Sequence, residues 1–201
     1  MFRYTPGAFV ALSDISPDGK FLVCDSGGVI LLVPLAVSDP AARKPVEYLR
    51  DEFDDGTGRL SPDGRFIAYR SDEAKPERFE IYVRPFDAAK PAADEKKWQV
   101  SKDGVFGSNI FFGFPAMLHW RGDGKEILFR APNGSPMAVD VATSPIFQPG
   151  IPKQLFALPA NVGDWDVTPD GRRFLVAMPL QAQNANMPIT VVLNWDASLK
   201  K

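Results

Sequence analysis

One cysteine and one histidine in 201 residues leave little for several kinds of chemistry. A single thiol, Cys24, cannot form an internal disulfide. It lies in the apolar run Phe21-Leu22-Val23-Cys24, where an inert core thiol is the expected role. A structural zinc site needs three or four Cys, His or carboxylate ligands, and one Cys far from His119 does not supply them. A Ser-His-Asp triad would have to use His119, and no G-x-S-x-G elbow accompanies it. Long apolar runs are also lacking. The longest, Val29 to Leu35, is broken by Pro34 and falls short of the roughly 18 residues that span a bilayer, so no membrane insertion is expected. Charge is nearly balanced at −2, which offers no electrostatic footprint for nucleic acid or an anionic membrane. The segment Met1 to Pro6 lacks the basic, apolar and small-residue pattern of an export signal. The expectation for the chain as given is a cytoplasmic protein.

What is present is a hydrophobic fraction of 45%, enough for a packed core, and 19 prolines, which argue against long helices. The main signal is repetition. Ser16-Pro17-Asp18-Gly19, Ser61-Pro62-Asp63-Gly64, Arg121-Gly122-Asp123-Gly124 and Thr168-Pro169-Asp170-Gly171 are each followed by a cation and a hydrophobic run. Their closing glycines are 45, 60 and 47 residues apart. Proline presets φ for a tight turn, aspartate can bond its own backbone, and glycine supplies a positive φ. The flanking runs are strand-length, so each copy begins with a hairpin. Third strands are expected at Val29–Pro34, Phe79–Pro85, Pro136–Val141 and Ile189–Trp195. Fourth strands are expected at 45–49, 98–101 and 154–158. Four strands repeating at roughly 45 residues are one propeller blade.

The predicted fold is therefore all-β: one β-propeller domain with four blades of about four antiparallel strands, over residues 8–50, 56–101, 115–158 and 163–195. Two closures are open. Residues 2–5 complete the last blade, or two chains combine as a homodimer into a larger ring. The wide second interval holds two insertions. Residues 87–97 read as a solvated loop, and the aromatic-glycine stretch 103–115 either packs over a blade end or forms a binding surface.

The stretch from Gly58 through Ser61-Pro62-Asp63-Gly64-Arg65-Phe66-Ile67-Ala68-Tyr69 to Ile81-Tyr82-Val83 resembles the TolB-like or WD-like propeller repeat. The stretches Asp164–Leu175 and Ile189–Trp195 are similar to the C-terminal propellers of bacterial serine/threonine protein kinases. That resemblance implies a sensing platform for a protein or small ligand. It also implies an extracytoplasmic location if the chain is a piece of a membrane-anchored sensor kinase. No Gly-rich loop, His-Arg-Asp or Asp-Phe-Gly motif of a kinase domain occurs in the chain.

Aligning the copies on their turns places Asp14, Arg59, His119 and Asp166 two residues before each turn, on the innermost strand of each blade. With Asp164, Trp165 and Arg84 near the same mouth, they form the candidate ligand-binding set. Such a set suits a cation, a peptide end or a small polar ligand. Ordinary hydrogen bonds and ion pairs between blades are the alternative role. A rival reading makes the protein a weak hydrolase, with Asp14, Asp164 and Asp166 on a divalent cation such as calcium and His119 and Asp166 as catalytic groups. The acidic run Asp51–Gly56 starts like an EF-hand, but Phe53 and Pro62 stand at ligand positions, so it reads as a solvated loop. Arg121-Gly122-Asp123 is the third copy's turn rather than an adhesion motif. Asn133-Gly134-Ser135 reads as a hairpin turn rather than a glycosylation site.

Overall fold

The turn chemistry explains the four hairpins. In the first turn Gly19 N–H donates to Ser16 O at 2.8 Å, and the Ser16 hydroxyl accepts the N–H groups of Lys20 and Phe21. The Asp18 carboxylate accepts the Ser16 hydroxyl and the Lys20 N–H. Held by these bonds and by Lys20, its pKa is drawn down to about 2. The other three turns repeat the aspartate bond: Asp63, Asp123 and Asp170 each accept the N–H two residues on, at 3.0–3.1 Å. All four closing glycines have φ between 69° and 72°, the left-handed region where a Cβ is costly. In the third turn the serine is replaced by Arg121, whose guanidinium grips Asp123 instead.

The computed structural model describes residues 10–39, 43–90, 96–106, 118–158, 162 and 164–178. No helix occurs among them. The first sheet has the order β1 (Ala11–Ile15), β2 (Phe21–Ser26), β3 (Val29–Pro34), β4 (Val46–Leu49). The second is β5 (Gly56–Leu60), β6 (Phe66–Ser71), β7 (Glu80–Pro85), β8 (Trp98–Gln99). In the third, β9 (Leu118–Trp120), β10 (Glu126–Arg130) and β11 (Pro136–Ala142) pair in sequence. The short strands β12 (Gln148–Pro149) and β13 (Lys153–Gln154) both pair with β11. The fourth shows β14 (Asp164–Val167) and β15 (Phe174–Ala177). All pairings are antiparallel. The expected strands at 2–5 and 189–195 lie outside the described residues, and so does most of the aromatic-glycine stretch. β12 is a strand that turn and periodicity signals do not announce.

Because side chains alternate across a strand, each sheet has two apolar faces. One, here called the leading face, packs on the following sheet, and the other, trailing face packs on the preceding sheet. Val23, Ile30, Leu32 and Tyr48 of the first sheet meet Leu60, Ile67, Tyr69 and Tyr82 of the second. Phe66, Ile81 and Val83 meet Leu118, Ile127, Phe129 and Val139 of the third, with Phe147 joining them. Leu128 meets Trp165, Phe174 and Val176 of the fourth. Each such side chain contributes about 1.5–3 kcal/mol on burial. The turns also stand side by side, with Gly122 N–H donating to Pro169 O at 2.6 Å between the third and fourth sheets. The first strands β1, β5 and β9 are successive neighbours, as the inner strands of consecutive blades are.

Candidate functional site

Asp14, Arg59, His119 and Asp166 occupy one register position. Each is paired with the central residue of its sheet's second strand: Val23, Ala68, Leu128 and Leu175. All four side chains therefore start on the leading side of an inner strand, and the row falls into two pairs. Asp14 accepts the N–H of Leu60 at 2.8 Å and lies 3.9 Å from the Arg59 guanidinium. His119 Nδ1 lies 3.7 Å from Asp166 Oδ1. Asp14 and Asp166 also accept the N–H of the next residue in their own strands, a local repeat of the same geometry.

Exposure separates them. The side chains of Asp14, Arg59 and His119 are 22–26% exposed, whereas Asp166 is 70% exposed. The Asp14 carboxylate spends its oxygens on two backbone N–H groups and an arginine, so it ties the first sheet to the second. Asp166 presents an open carboxylate beside a half-buried imidazole, able to accept from a ligand's donors.

The remaining expected site residues are placed differently. Trp165 is buried with Leu128 and Phe174, its ring centroid 5.5 Å from that of His119. Arg84 is buried on β7, its guanidinium 5.9 Å from the Tyr69 ring centroid. Both are buried between neighbouring sheets rather than lining an open mouth, and Trp165 alone of the two is shown against the row, beside His119. The side chain of Asp164 lies outside the described residues. Among the described residues, no three His, Cys, Asp or Glu side chains gather as a metal site.

The acidic run is not the solvated loop its composition suggests. Asp51 and Glu52 are exposed, but the chain then turns inward to start β5 beside β1, and Asp55 is only 1% exposed. Burial, reinforced by the charges of Asp51 and Glu73, pushes its pKa up to about 7. Next to it lies a second polar node. Asp25 accepts the Ser13 hydroxyl and the Thr57 N–H, and Asp72 accepts the Asp54 N–H. Arg70 is buried with its guanidinium 4.3 Å from the Phe79 ring centroid. A Cβ on Gly56 would lie 3.3 Å from Arg70 Nε and 3.4 Å from an Asp25 oxygen, so the glycine lets these groups approach. Arg130, at the equivalent end of β10, repeats the device. It is buried 3.8 Å from the Phe106 ring centroid and donates to the carbonyls of Gly134 and Val162. The shared position of Arg70 and Arg130, six residues after each closing glycine, is the signal that would have found this pair.

No family model and no curated protein matches the chain. Solved structures do. A protein described as TolB from Agrobacterium tumefaciens matches at TM-score 0.61 and 21% identity, covering 87% of this chain and 55% of its own. One described as a 6-phosphogluconolactonase from Bacteroides uniformis matches at 0.52 and 16%, covering 85% and 48%. A puromycin-hydrolysing peptidase from Mycobacterium tuberculosis matches at 0.54 and 16%, covering 85% and 28%. The chain thus spans about half the length of the first two, and at these identities the likeness concerns the fold alone. On that likeness and on its four successive antiparallel sheets, the chain has a TolB-like β-propeller fold.

Proposed function

We propose that this TolB-like propeller chain is a non-catalytic recognition module whose inner-strand row takes a polar protein segment or a small polar ligand. The observation that supports this reading is the open Asp166 carboxylate set 3.7 Å from His119, at the register position where Asp14 and Arg59 also stand. The row offers a carboxylate acceptor, an imidazole and a guanidinium within one band of the fold. A ligand carrying both an ammonium or hydroxyl group and an anionic group would find partners for each.

The test is a thermal-shift screen with amino acids, sugar phosphates and short peptides bearing free termini, followed by calorimetry on the hits. Asp166→Ala and His119→Ala each weaken a true ligand at least tenfold, and Asp166→Ala, at an exposed carboxylate, leaves the melting temperature of the free protein nearly unchanged. Asp14→Ala also lowers that melting temperature, because Asp14 bonds Leu60 across two sheets. Binding unaffected by alanine at all four positions would refute the row as the site. The same His119–Asp166 pair is what the rival reading, a weak hydrolase, would use as its proton carrier. That reading requires a rate on an activated ester that calcium raises, a chelator removes and His119→Ala abolishes.

A further inference from the structure

The four turns repeat one design, so a place that one of them fills can be compared with the same place in another. Between the third and fourth turns, Arg121 reaches into the gap. Its guanidinium bonds Asp123 at 2.8 and 3.0 Å and Glu126 at 3.0 Å. Its stem lies against the next turn, where a Cβ on Gly171 would stand 3.1 Å from Arg121 Cδ. In the first turn Ser16 holds the position of Arg121, and Phe21 stands where Glu126 does. A Cβ on Gly64, the equivalent of Gly171, would meet nothing within 4 Å. A cavity of about 210 Å³ lies between the first and second turns. Phe21, Leu60 and Phe86 give it apolar walls, and Asp18 and Asp63 bring two carboxylates. Among the described residues no lysine or arginine lines it, whereas the cleft between the third and fourth turns carries Arg121 and Arg172 beside its acids.

We propose that this cavity takes a guanidinium group on an apolar stem, supplied from outside the chain where Arg121 supplies it from within. A planar guanidinium bonds a carboxylate through paired N–H groups and also lies well on an aromatic ring. The chain uses both contacts elsewhere. Arg121 holds Asp123, and the guanidinium carbons of Arg70 and Arg130 lie 4.3 and 3.8 Å from the ring centroids of Phe79 and Phe106. Asp18 pairs with Lys20 at 2.9 Å and Asp63 with Arg65 at 2.7 Å. Those cations stand on the solvent side, with side chains 66% and 55% exposed, and pairs of this kind contribute little. In the third turn Lys125 stands where Lys20 does, yet Asp123 bonds Arg121. An incoming guanidinium displaces Lys20 from Asp18 in the same way. The cavity is smaller than the roughly 300–1,000 Å³ of drug-sized pockets, which suits a single side-chain-sized group. None of Asp14, Arg59, His119 and Asp166 lines it, so the proposal stands apart from the inner-strand row, and either can fail without the other.

The experiment is calorimetry on the full chain with three probes: capped arginine, its neutral isostere capped citrulline, and agmatine. Capped arginine or agmatine is expected to bind with a dissociation constant of about 1 mM or tighter, and capped citrulline at least tenfold more weakly. Ser16→Arg gives the first turn the arginine of the third and abolishes binding. Asp18→Asn keeps an acceptor in the turn, weakens binding at least tenfold, and serves as the second variant should Ser16→Arg fail to fold by circular dichroism. Asp166→Ala leaves binding unchanged. The two guanidinium probes separate the sources: tighter capped arginine assigns the site to an arginine of a protein segment, and tighter agmatine to a free guanidine compound. No binding of either up to about 10 mM overturns the proposal, and so does citrulline bound as tightly as arginine. Binding that survives Ser16→Arg and Asp18→Asn but is lost in Asp166→Ala overturns it as well, because the ligand then sits on the inner-strand row.

Discussion

Replacing Asp55 by asparagine removes a carboxyl that is 1% exposed, with neither oxygen in a well-formed hydrogen bond. Burial raises its pKa from 3.8 to about 7, and the charges of Asp51 and Glu73 act in the same direction. The Ser71 hydroxyl beside it offsets part of the effect. Between about pH 4 and pH 7 the folded chain therefore keeps a proton that the unfolded chain has lost. The stability contribution of Asp55 is full below the unfolded pKa and falls as pH rises through that window. A shift of roughly three units at 1.36 kcal/mol each corresponds to about 4 kcal/mol at pH 8, and local relaxation brings the expected loss to about 2–4 kcal/mol. Asparagine has nearly the same shape and does not titrate. Urea unfolding of wild type and Asp55→Asn at pH 4.5 and pH 8 measures the difference directly. The variant is expected to gain about 2–4 kcal/mol on wild type between the two pH values. A difference between the proteins that is the same at both would refute the argument, since it would mean that Asp55 ionises as easily in the fold as in the open chain.

Two glycines separate backbone strain from crowding. Gly64→Ala meets nothing within 4 Å but keeps φ at +69°, so it costs about 1 kcal/mol, and Gly64→Asn recovers part of that. Gly58→Ala puts a Cβ 2.9 Å from Val23 Cγ1 and 3.1 Å from Ile67 Cδ1, in the packing between two sheets. It costs about 1–3 kcal/mol, and thermal melts of the two variants compare them. Arg130→Lys loses the planar contact with Phe106 and cannot reach both carbonyls that the guanidinium bonds, with a loss of about 2 kcal/mol in urea unfolding. Cys24, buried with its thiol pKa raised by that burial, reacts with a disulfide reagent in native protein far more slowly than in urea. Equal rates would show that the first sheet opens readily.

The turn repeat was legible in the sequence because every group that makes it lies within about five residues. Proline, the serine or threonine hydroxyl, the aspartate carboxylate and the glycine act on one another locally, and Arg121 could stand in because it still reaches Asp123. Strand positions followed from the same anchors, and so did the alignment of Asp14, Arg59, His119 and Asp166 on one row. Whether a member of that row is a linker or an open group was not legible. Asp14 and Asp166 carry the same side chain and the same local bond, yet among the described residues only Asp14 has another sheet's N–H within reach. Burial of Trp165, Arg84 and Asp55 is of the same kind, since it depends on what the opposite sheet presents across the interface. By itself, then, the sequence determined the hairpins, their number and their register. Only the tertiary structure decided which polar groups are desolvated and which meet solvent, because desolvation is set by atoms distant in the chain that pack from the next sheet.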